Sequence, residues 1–169
     1  MLPLAFARGV AFQEGIIMNF LTFIKEHRTV ICNLKVDSWE DAILKGGKVL
    51  TDTNSVRPEY LSAIIKKCKQ YGPYIVIAPG IAMPHARPEE GALALGYGIV
   101  TLKDPVLFND PDNDPIKLLI FLAAPNAKEH NEVAVCQIAD LCDDEEIVTA
   151  LLNARNEEEI ISIISERIE

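Results

Sequence analysis

The spacing of apolar and polar positions along this chain predicts an alternation of helices and strands. Apolar residues three and four positions apart mark the helices, and characteristic polar residues mark where they begin and end. Asp37 with Glu40, and Asp143 with Glu146, have the spacing of capping boxes. Helices are therefore predicted after Asp37, from Pro58 to Gly72, from Glu129 to Leu141, after Asp143 and after Asn156.

Short apolar runs between these helices predict the strands of one sheet. The runs are 74–78, 95–102 and 118–123, and residues 30–36 supply an edge strand. The run 118–123 is apolar at every position, which is typical of a strand that is buried on both faces and is therefore central. With no internal repeat and no linker, these elements predict a single α/β domain, a mixed β-sheet flanked by helices on its faces.

Composition and charge exclude several classes of protein. The 169 residues are 49% apolar, enough for the core of one domain. A net charge of −9 argues against binding to nucleic acid or to an anionic membrane surface, since both require clustered cations. The basic run Lys66, Lys67 and Lys69 is interpreted as the solvated face of a helix. No apolar stretch reaches the roughly 18 residues that cross a membrane, so direct membrane insertion is not expected.

The cysteines and acidic residues give no sign of a metal or cofactor site. The four cysteines form no CxxC pair and each lies in or beside an apolar segment, so they are interpreted as small apolar side chains in the reducing cytoplasm. The alternating aspartates of 110–114 lack the glycine and glutamate of a calcium loop and are interpreted as a polar turn. Glycines 96 and 98 lie in a strand pattern and lack the third glycine of a dinucleotide fingerprint. No metal and no cofactor is expected.

The first residues of the chain stand apart from these patterns. They lack the basic n-region of a secretory signal peptide. One interpretation is that residues 1–17 lie upstream of a natural start at Met18, because Glu14 and Gly15 have purine-rich codons at the distance of a ribosome-binding site. Mass spectrometry of the native protein tests that interpretation.

The strongest candidate for chemistry is His85, in a loop directly after the apolar run 74–77. Pro79, Pro84 and Pro88 each fix φ at about −65°, so the loop has few conformations to lose and can hold one imidazole steadily at a strand end. The nearby Arg87 disfavours the charged imidazolium, and its planar guanidinium suits the oxygens of a phosphoryl group. These features predict that His85 is a nucleophile.

The two other histidines differ in their setting. His27 lies among charged residues and is predicted to be solvated. His130 lies in the first turn of the helix after the central strand, and the ligands of α/β sheets gather beyond the carboxyl ends of the strands. Because His85 also follows a strand, the two imidazoles are predicted to face each other across one cleft. Taken alone, His130 would be a polar surface residue.

Three segments of the chain resemble one family of bacterial proteins. They are the stretch from Gly72 to Gly91, which contains Met83-Pro84-His85-Ala86-Arg87, the turn from Phe108 to Pro115, and His130 ahead of Gln137-Ile138. Together they resemble enzyme IIA of the mannitol/fructose superfamily (type 2) of the phosphoenolpyruvate-dependent sugar phosphotransferase system (PTS). Within it, Ala86-Arg87-Pro88-Glu89-Glu90-Gly91 is most similar to the ascorbate-type branch. The resemblance covers residues 19–169 and leaves residues 1–18 as an N-terminal extension.

The resemblance implies a cytoplasmic phosphocarrier of sugar transport. It implies that His85 accepts a phosphoryl group from the histidine phosphocarrier protein and passes it to a cysteine of a IIB component. It also implies that His130 donates a hydrogen bond to a phosphoryl oxygen. The mannitol branch has an arginine on the helix before the active loop, where this chain has Lys67. Because lysine lacks the bidentate fork of arginine, the role of phosphoryl clamp is expected to pass to Arg87.

Two other functions stay open at this point. A regulatory module of the same fold would sense the phosphorylation state and bind other proteins, and neighbouring genes for IIB and IIC components would favour transport instead. A hydrolase that uses His85 as general base would need a nucleophile or a metal that the sequence does not supply.

A carrier that meets two partner proteins in turn must keep His85 near its surface. Ile81 and Met83 are therefore expected to form an apolar docking rim around a shallow cleft, with Glu89 and Glu90 as rim charges. The ring nitrogens of the two histidines are expected within about 8 Å of each other, so that one phosphoryl group can bridge them. A homodimer is also left open.

Overall fold

A computed structural model describes residues 20–168, so the interpretation of residues 1–18 lies outside the described residues. In chain order the elements are α1 (20–27), β1 (Val30–Leu34), α2 (Trp39–Gly46), α3 (Lys48–Thr51), α4 (Pro58–Tyr71), β2 (Val76–Ala78), β3 (Ile81–Ala82), a 3₁₀ turn (Pro88–Glu90), β4 (Gly96–Val106), β5 (Ile116–Ala123), a π-helical turn (Glu129–Ala134), α5 (Val135–Cys142), α6 (Glu145–Asn153) and α7 (Glu157–Ile168). None of the helices within this range is long and apolar enough to cross a membrane.

The five strands form one mixed sheet in the order β1-β4-β5-β3-β2. β1 is parallel to β4, β3 is parallel to β5, and the β4–β5 and β2–β3 pairs are antiparallel. β5 is the central strand and β1 is an edge strand, as the apolar pattern predicts. The predicted fold class, one α/β domain with a mixed sheet flanked by helices, is confirmed.

Alternate side chains of β5 enter two separate apolar cores. Leu118, Ile120 and Leu122 pack with α1, α5, α6 and α7, and the intervening residues Leu119 and Phe121 pack with α2, α3 and α4. Because successive side chains of a strand point to opposite faces, a strand covered on both sides must be apolar at every position. The two layers of helices therefore account for the unbroken apolar run.

Two of the predicted helix starts are wrong by one residue. α2 is capped by Ser38, whose Oγ accepts a hydrogen bond from the Asp41 amide at 3.1 Å, and not by Asp37. α6 is capped by Asp144, which accepts from the amides two and three residues further on, and not by Asp143. Neighbouring polar residues all suit a cap, and the extended backbone that selects one of them is set by the chain as a whole. The cap at Asn156 is confirmed, since its Oδ1 accepts from the Glu159 amide at 2.9 Å.

The strands also differ in extent from their predicted bounds. β4 continues to Val106, and the predicted strand at 74–78 is reduced to β2. The two residues of β3 were not predicted, because a strand this short inside a loop rich in proline has no periodicity to reveal it. Gly98 lies within β4 as expected, and a Cβ there would come within 2.2 Å of the Val49 side chain, so glycine lets α3 pack closely against the sheet.

The acidic turn before β5 is confirmed as a structural turn. Asp114 accepts hydrogen bonds from the amides of Phe108 at 2.8 Å and Asp110 at 2.9 Å. None of the four cysteines, all within residues 20–168, forms a disulfide, and Cys68 is buried. Cys136, interpreted as a small apolar side chain in or beside an apolar segment, is exposed on α5.

Candidate functional site

The sheet brings the two predicted site histidines to the same edge. β3 and β5 are parallel neighbours, so their carboxyl ends lie side by side. His85 follows β3, and His130 lies in the π-helical turn that follows β5. Their ring centroids are 5.1 Å apart, which brings the ring nitrogens within the expected limit of about 8 Å of each other. The prediction that the imidazoles face each other across one cleft is confirmed, and His27 is exposed as predicted.

The cleft has a volume of about 670 Å³ and is built from four parts of the fold. Residues of α4, of the segment between α4 and β2, of the His85 loop and of the segment after β5 line it: Lys67, Tyr71, Tyr74, His85, Ala86, Arg87, Pro88, Glu89, Ala127 and His130. Its rim includes two exposed aromatic side chains, Tyr71 at 73% and Tyr74 at 37% exposure.

The expected docking rim of Ile81 and Met83 is wrong. Both side chains are buried, because β3 lies inside the sheet between β5 and β2 and the residues that continue it still point into the core. A loop that leaves the sheet next to its central strand keeps its first apolar side chains in the interior. The exposed side chains at the rim of the cleft include those of Tyr71 and Tyr74, and the side chains of Ile81 and Met83 are not among them.

The protonation of the His85 ring is set by the backbone of its own loop. Nδ1 lies 2.6 Å from the carbonyl oxygen of Met83. A carbonyl can only accept, so Nδ1 carries the proton and the lone pair of the neutral ring is on Nε2. The hydroxyl of Tyr74 donates to the backbone carbonyl of His85, and the Tyr74 ring meets the imidazole edge-on at a centroid distance of 5.3 Å.

Burial lowers the pKa of His85, and electrostatic interactions with His130 and Lys67 lower it further. The hydrogen bond to Met83 acts in the opposite direction but does not cancel these effects. A lowered pKa favours the neutral imidazole at neutral pH. The ring is therefore in the form that can attack an electrophile through Nε2.

A buried tyrosine that the sequence did not reveal ties the His85 loop to the central strand. The Tyr60 hydroxyl accepts from the amide of Ala86 at 2.9 Å and donates to the carbonyl of Leu122 at 2.8 Å. Its side chain is fully buried, and burial raises its pKa, so the hydroxyl stays protonated. On α4 this residue occupies an ordinary core position of the apolar stripe, so only its contacts distinguish it.

Two cations lie on the wall of the cleft. Lys67, interpreted from the sequence as solvated, instead lines the cleft, and its Nζ lies 2.6 Å from Oε2 of Glu90. The same carboxylate oxygen accepts from the backbone amide of Arg87 at 2.8 Å. Arg87 is an exposed residue of this wall, two positions after His85. The site thus presents a neutral imidazole with cationic groups around it.

The fold is that of the IIA phosphotransferases of the bacterial PTS. Residues 22–167 match the model of the family described as "Phosphoenolpyruvate-dependent sugar phosphotransferase system, EIIA 2". The chain therefore belongs to the PTS EIIA type 2 family, whose members carry the phosphoryl group on a histidine. The family predicted from the loop motif is confirmed.

Relatives and solved structures cover most of the chain. It is 42% identical to the ascorbate-specific PTS EIIA component of Escherichia coli (strain K12) over 147 residues, 87% of this chain and 96% of that protein. The mannitol-specific cryptic enzyme IIA CmtB of Escherichia coli is 36% identical, with a TM-score of 0.77 over 87% of this chain and 99% of that one. Enzyme IIA in the Escherichia coli complex of mannitol IIA with phosphorylated mannitol IIB is 26% identical. Its TM-score is 0.69, and the match covers 82% of this chain and 95% of that one.

Proposed function

We propose that His85 accepts a phosphoryl group from the histidine phosphocarrier protein and passes it to a cysteine of a IIB component. In the first step the P–N bond of the donor breaks and a bond forms from phosphorus to Nε2 of His85, while the donor nitrogen keeps the electron pair. In the second step that P–N bond breaks and a P–S bond forms to a cysteine thiolate. The reaction takes place in the cytoplasm, where thiols such as the four of this chain stay reduced.

The observation that carries this proposal is the 2.6 Å contact from His85 Nδ1 to the Met83 carbonyl. It supports Nε2 as the nucleophile and holds the ring in one orientation, which matters because phosphoryl transfer depends mainly on positioning and electrostatics. The lowered pKa of His85 supports the same role, since a protonated ring cannot attack.

His130 and Arg87 are proposed to stabilise the phosphoryl group. His130 lies across the cleft at a centroid distance of 5.1 Å and can donate a hydrogen bond to a phosphoryl oxygen. Arg87 can place its guanidinium against the same group from the exposed wall. Arg87→Ala is expected to slow the transfer without unfolding the protein.

The test is incubation with phosphoenolpyruvate, enzyme I and the histidine phosphocarrier protein, followed by peptide mapping and phosphorus NMR. One acid-labile, alkali-stable phosphoryl group is expected on Nε2 of His85, and His85→Ala is expected to abolish it. His27→Ala is the matched control, because His27 is exposed and lies outside the cleft. Normal labelling of the His85 variant, or labelling on Nδ1, would contradict the proposal.

The sugar system is proposed to be that of ascorbate. The support is the 42% identity to an ascorbate-specific EIIA component, against 36% to the mannitol-specific CmtB. The phosphorylated protein is therefore expected to transfer its phosphoryl group faster to an ascorbate IIB than to a mannitol IIB. Equal or reversed rates in a rapid-quench experiment would contradict ascorbate as the substrate class and leave the carrier role intact.

A further inference from the structure

Another cavity lies beside the His85 cleft, on a different side of α4. Lys67 and Tyr71 line the cleft, whereas Cys68 and Lys69 line the cavity together with residues from the start of α2 and from the turn after β4. The volume of the cavity is about 320 Å³. This volume is near the lower end of the range that is usual for ligand pockets, so the cavity suits a small molecule with one ring. The proposed phosphoryl transfer makes no use of it.

The cavity has an apolar floor, formed by Trp39, Cys68 and Phe108. The rings of Trp39 and Phe108 contact each other with their centroids 6.1 Å apart, and Phe108 is buried. Cys68 is also buried, and burial raises the pKa of its thiol to about 11, so the thiol stays neutral. A flat apolar group placed on this floor would leave water and contact aromatic rings, and both changes favour binding.

The rim of the cavity carries two opposite charges. Glu40 on α2 and Lys69 on α4 are 34% and 62% exposed, and Oε1 of Glu40 lies 4.0 Å from Nζ of Lys69. This distance is longer than a hydrogen bond, so each group keeps its capacity to bind a ligand. The ion pair of Lys45 with Asp41, also on α2, is closed at 3.0 Å by contrast. A molecule with one ammonium and one carboxylate can therefore bind both rim charges at once.

We propose that this cavity is a second binding site of the protein, for a small aromatic zwitterion with the chemistry of an aromatic α-amino acid. The ring contacts the apolar floor, the ammonium of the ligand binds Glu40, and its carboxylate binds Lys69. Because α2 and α4 pack against each other, the fold sets the distance between the two charges. The inference goes beyond the proposed function and does not depend on phosphorylation of His85.

The first test uses the fluorescence of Trp39, which is the only tryptophan of the chain and lines the cavity. L-Phenylalanine is the probe, because its ring does not absorb at the long-wavelength edge of tryptophan absorption. Its titration is expected to change the Trp39 fluorescence until the site is saturated. Hydrocinnamate lacks the ammonium and phenethylamine lacks the carboxylate, so each is expected to bind about 3- to 5-fold more weakly, in line with the loss of one exposed ion pair.

Variants without one rim charge assign each end of the ligand to its partner. Glu40→Gln is expected to weaken phenylalanine and phenethylamine about 3- to 5-fold and not to weaken hydrocinnamate. Lys69→Met is expected to weaken phenylalanine and hydrocinnamate by a similar factor and not to weaken phenethylamine. Lys66→Met is the matched control, because Lys66 is exposed on the same helix and does not line the cavity. Equal losses for all three probes in both variants would contradict the assignment of the two charges.

Backbone NMR of the unphosphorylated protein shows where the probe binds. Saturating L-phenylalanine is expected to shift the amide signals of Gly72 and Asn109 at the cavity more than those of Ala86 and Arg87 in the cleft. Shifts confined to the cleft, or no saturable response up to the solubility of the probe, would overturn the inference. Failure of the protein to be labelled on His85 would instead overturn the proposed function, so the two failures are distinct.

Discussion

The two histidines of the cleft are held by opposite means. The backbone around His85 is fixed from distant parts of the chain, because Tyr60 on α4 binds the amide of Ala86 and Tyr74 binds the carbonyl of His85. The backbone of His130 is fixed locally, by its amide bonding the carbonyl of Asn126 at 3.1 Å. These backbone contacts of His85 come from other segments of the fold, and this backbone contact of His130 comes from its own turn.

This difference suits the different roles proposed for the two side chains. A nucleophile must keep its reacting atom in place while two partners approach in turn, and a loop has no internal ladder of hydrogen bonds to do that. A group that only donates to phosphoryl oxygens tolerates the wider geometry of a π-helical turn, which continues directly into α5. Removing the His130 ring is therefore expected to change mainly the rate of phosphoryl transfer. Removing the contacts that hold the His85 loop is expected to change the free energy of unfolding as well.

The largest expected effect comes from removing the ring of the partner. His130→Ala is expected to slow phosphoryl transfer by about 100-fold, the loss typical of one preorganised donor, while the free energy of unfolding changes little. It is also expected to raise the pKa of His85, because the electrostatic interaction with His130 lowers that pKa and the His130 ring helps to enclose the cleft. Rapid-quench kinetics and an NMR titration measure the two changes.

The pH dependence of His130→Ala shows in which direction the pKa of His85 has changed. Because the pKa of His85 is lowered in the folded protein, the unfolded chain binds more protons in the pH range between the two pKa values. His85 therefore stabilises the folded state fully above its ordinary pKa. That contribution is lost as the pH falls through the pKa of the folded protein. In His130→Ala the pH range between the folded and unfolded pKa values of His85 is expected to narrow. The pH below which the transfer rate falls, because His85 becomes protonated, is expected to move upward. A wild-type rate and an unchanged His85 pKa would remove His130 from the site.

A smaller effect is expected from the tether beneath the nucleophile. Tyr60→Phe removes a buried hydroxyl and leaves the amide of Ala86 and the carbonyl of Leu122 without that partner. The expected loss is about 1–3 kcal/mol in the free energy of unfolding, measured by urea denaturation, with slower transfer because the loop is less fixed.

The matched control for this tether is Tyr71→Phe. Tyr71 lies on the same helix with 73% of its surface exposed, so removing its hydroxyl is expected to leave the unfolding free energy nearly unchanged. Equal stability of the two variants would show that the long-range contact to Ala86 is not what fixes the loop.

The contrast between local and distant contacts also explains what the sequence could predict. His85 was predicted because three prolines and an arginine stand next to it in the chain. His130 was predicted as its neighbour because both follow strands, and in the sheet those strands are parallel and adjacent. The central position of β5 followed from its unbroken apolar run.

The features that the sequence did not predict depend on contacts between distant segments. Tyr60 and Lys67 both lie on α4 in positions that fit an apolar stripe and a solvated face, and only the docked loop makes one a tether and the other a member of the cleft. Ile81 and Met83 were expected at the surface because they stand beside His85 in the chain, and β3, which carries their segment into the sheet, has no periodicity that would reveal it. Such roles arise from packing, which spacing along the chain does not encode.

The smallest expected effect concerns the second tether of His85. Tyr74→Phe removes the hydroxyl that donates to the His85 carbonyl but keeps the ring that meets the imidazole edge-on. Because Tyr74 is 37% exposed, water can replace the lost donor, and the free energy of unfolding is expected to fall by only about 0.5–1.5 kcal/mol in urea denaturation. The pKa of His85 should stay low in this variant, since its first cause is burial. Tyr74→Ala, which also removes the ring, should raise that pKa toward its ordinary value in an NMR titration. If Tyr74→Phe alone raised the pKa as far as Tyr74→Ala, the hydroxyl and not the ring would control the His85 site.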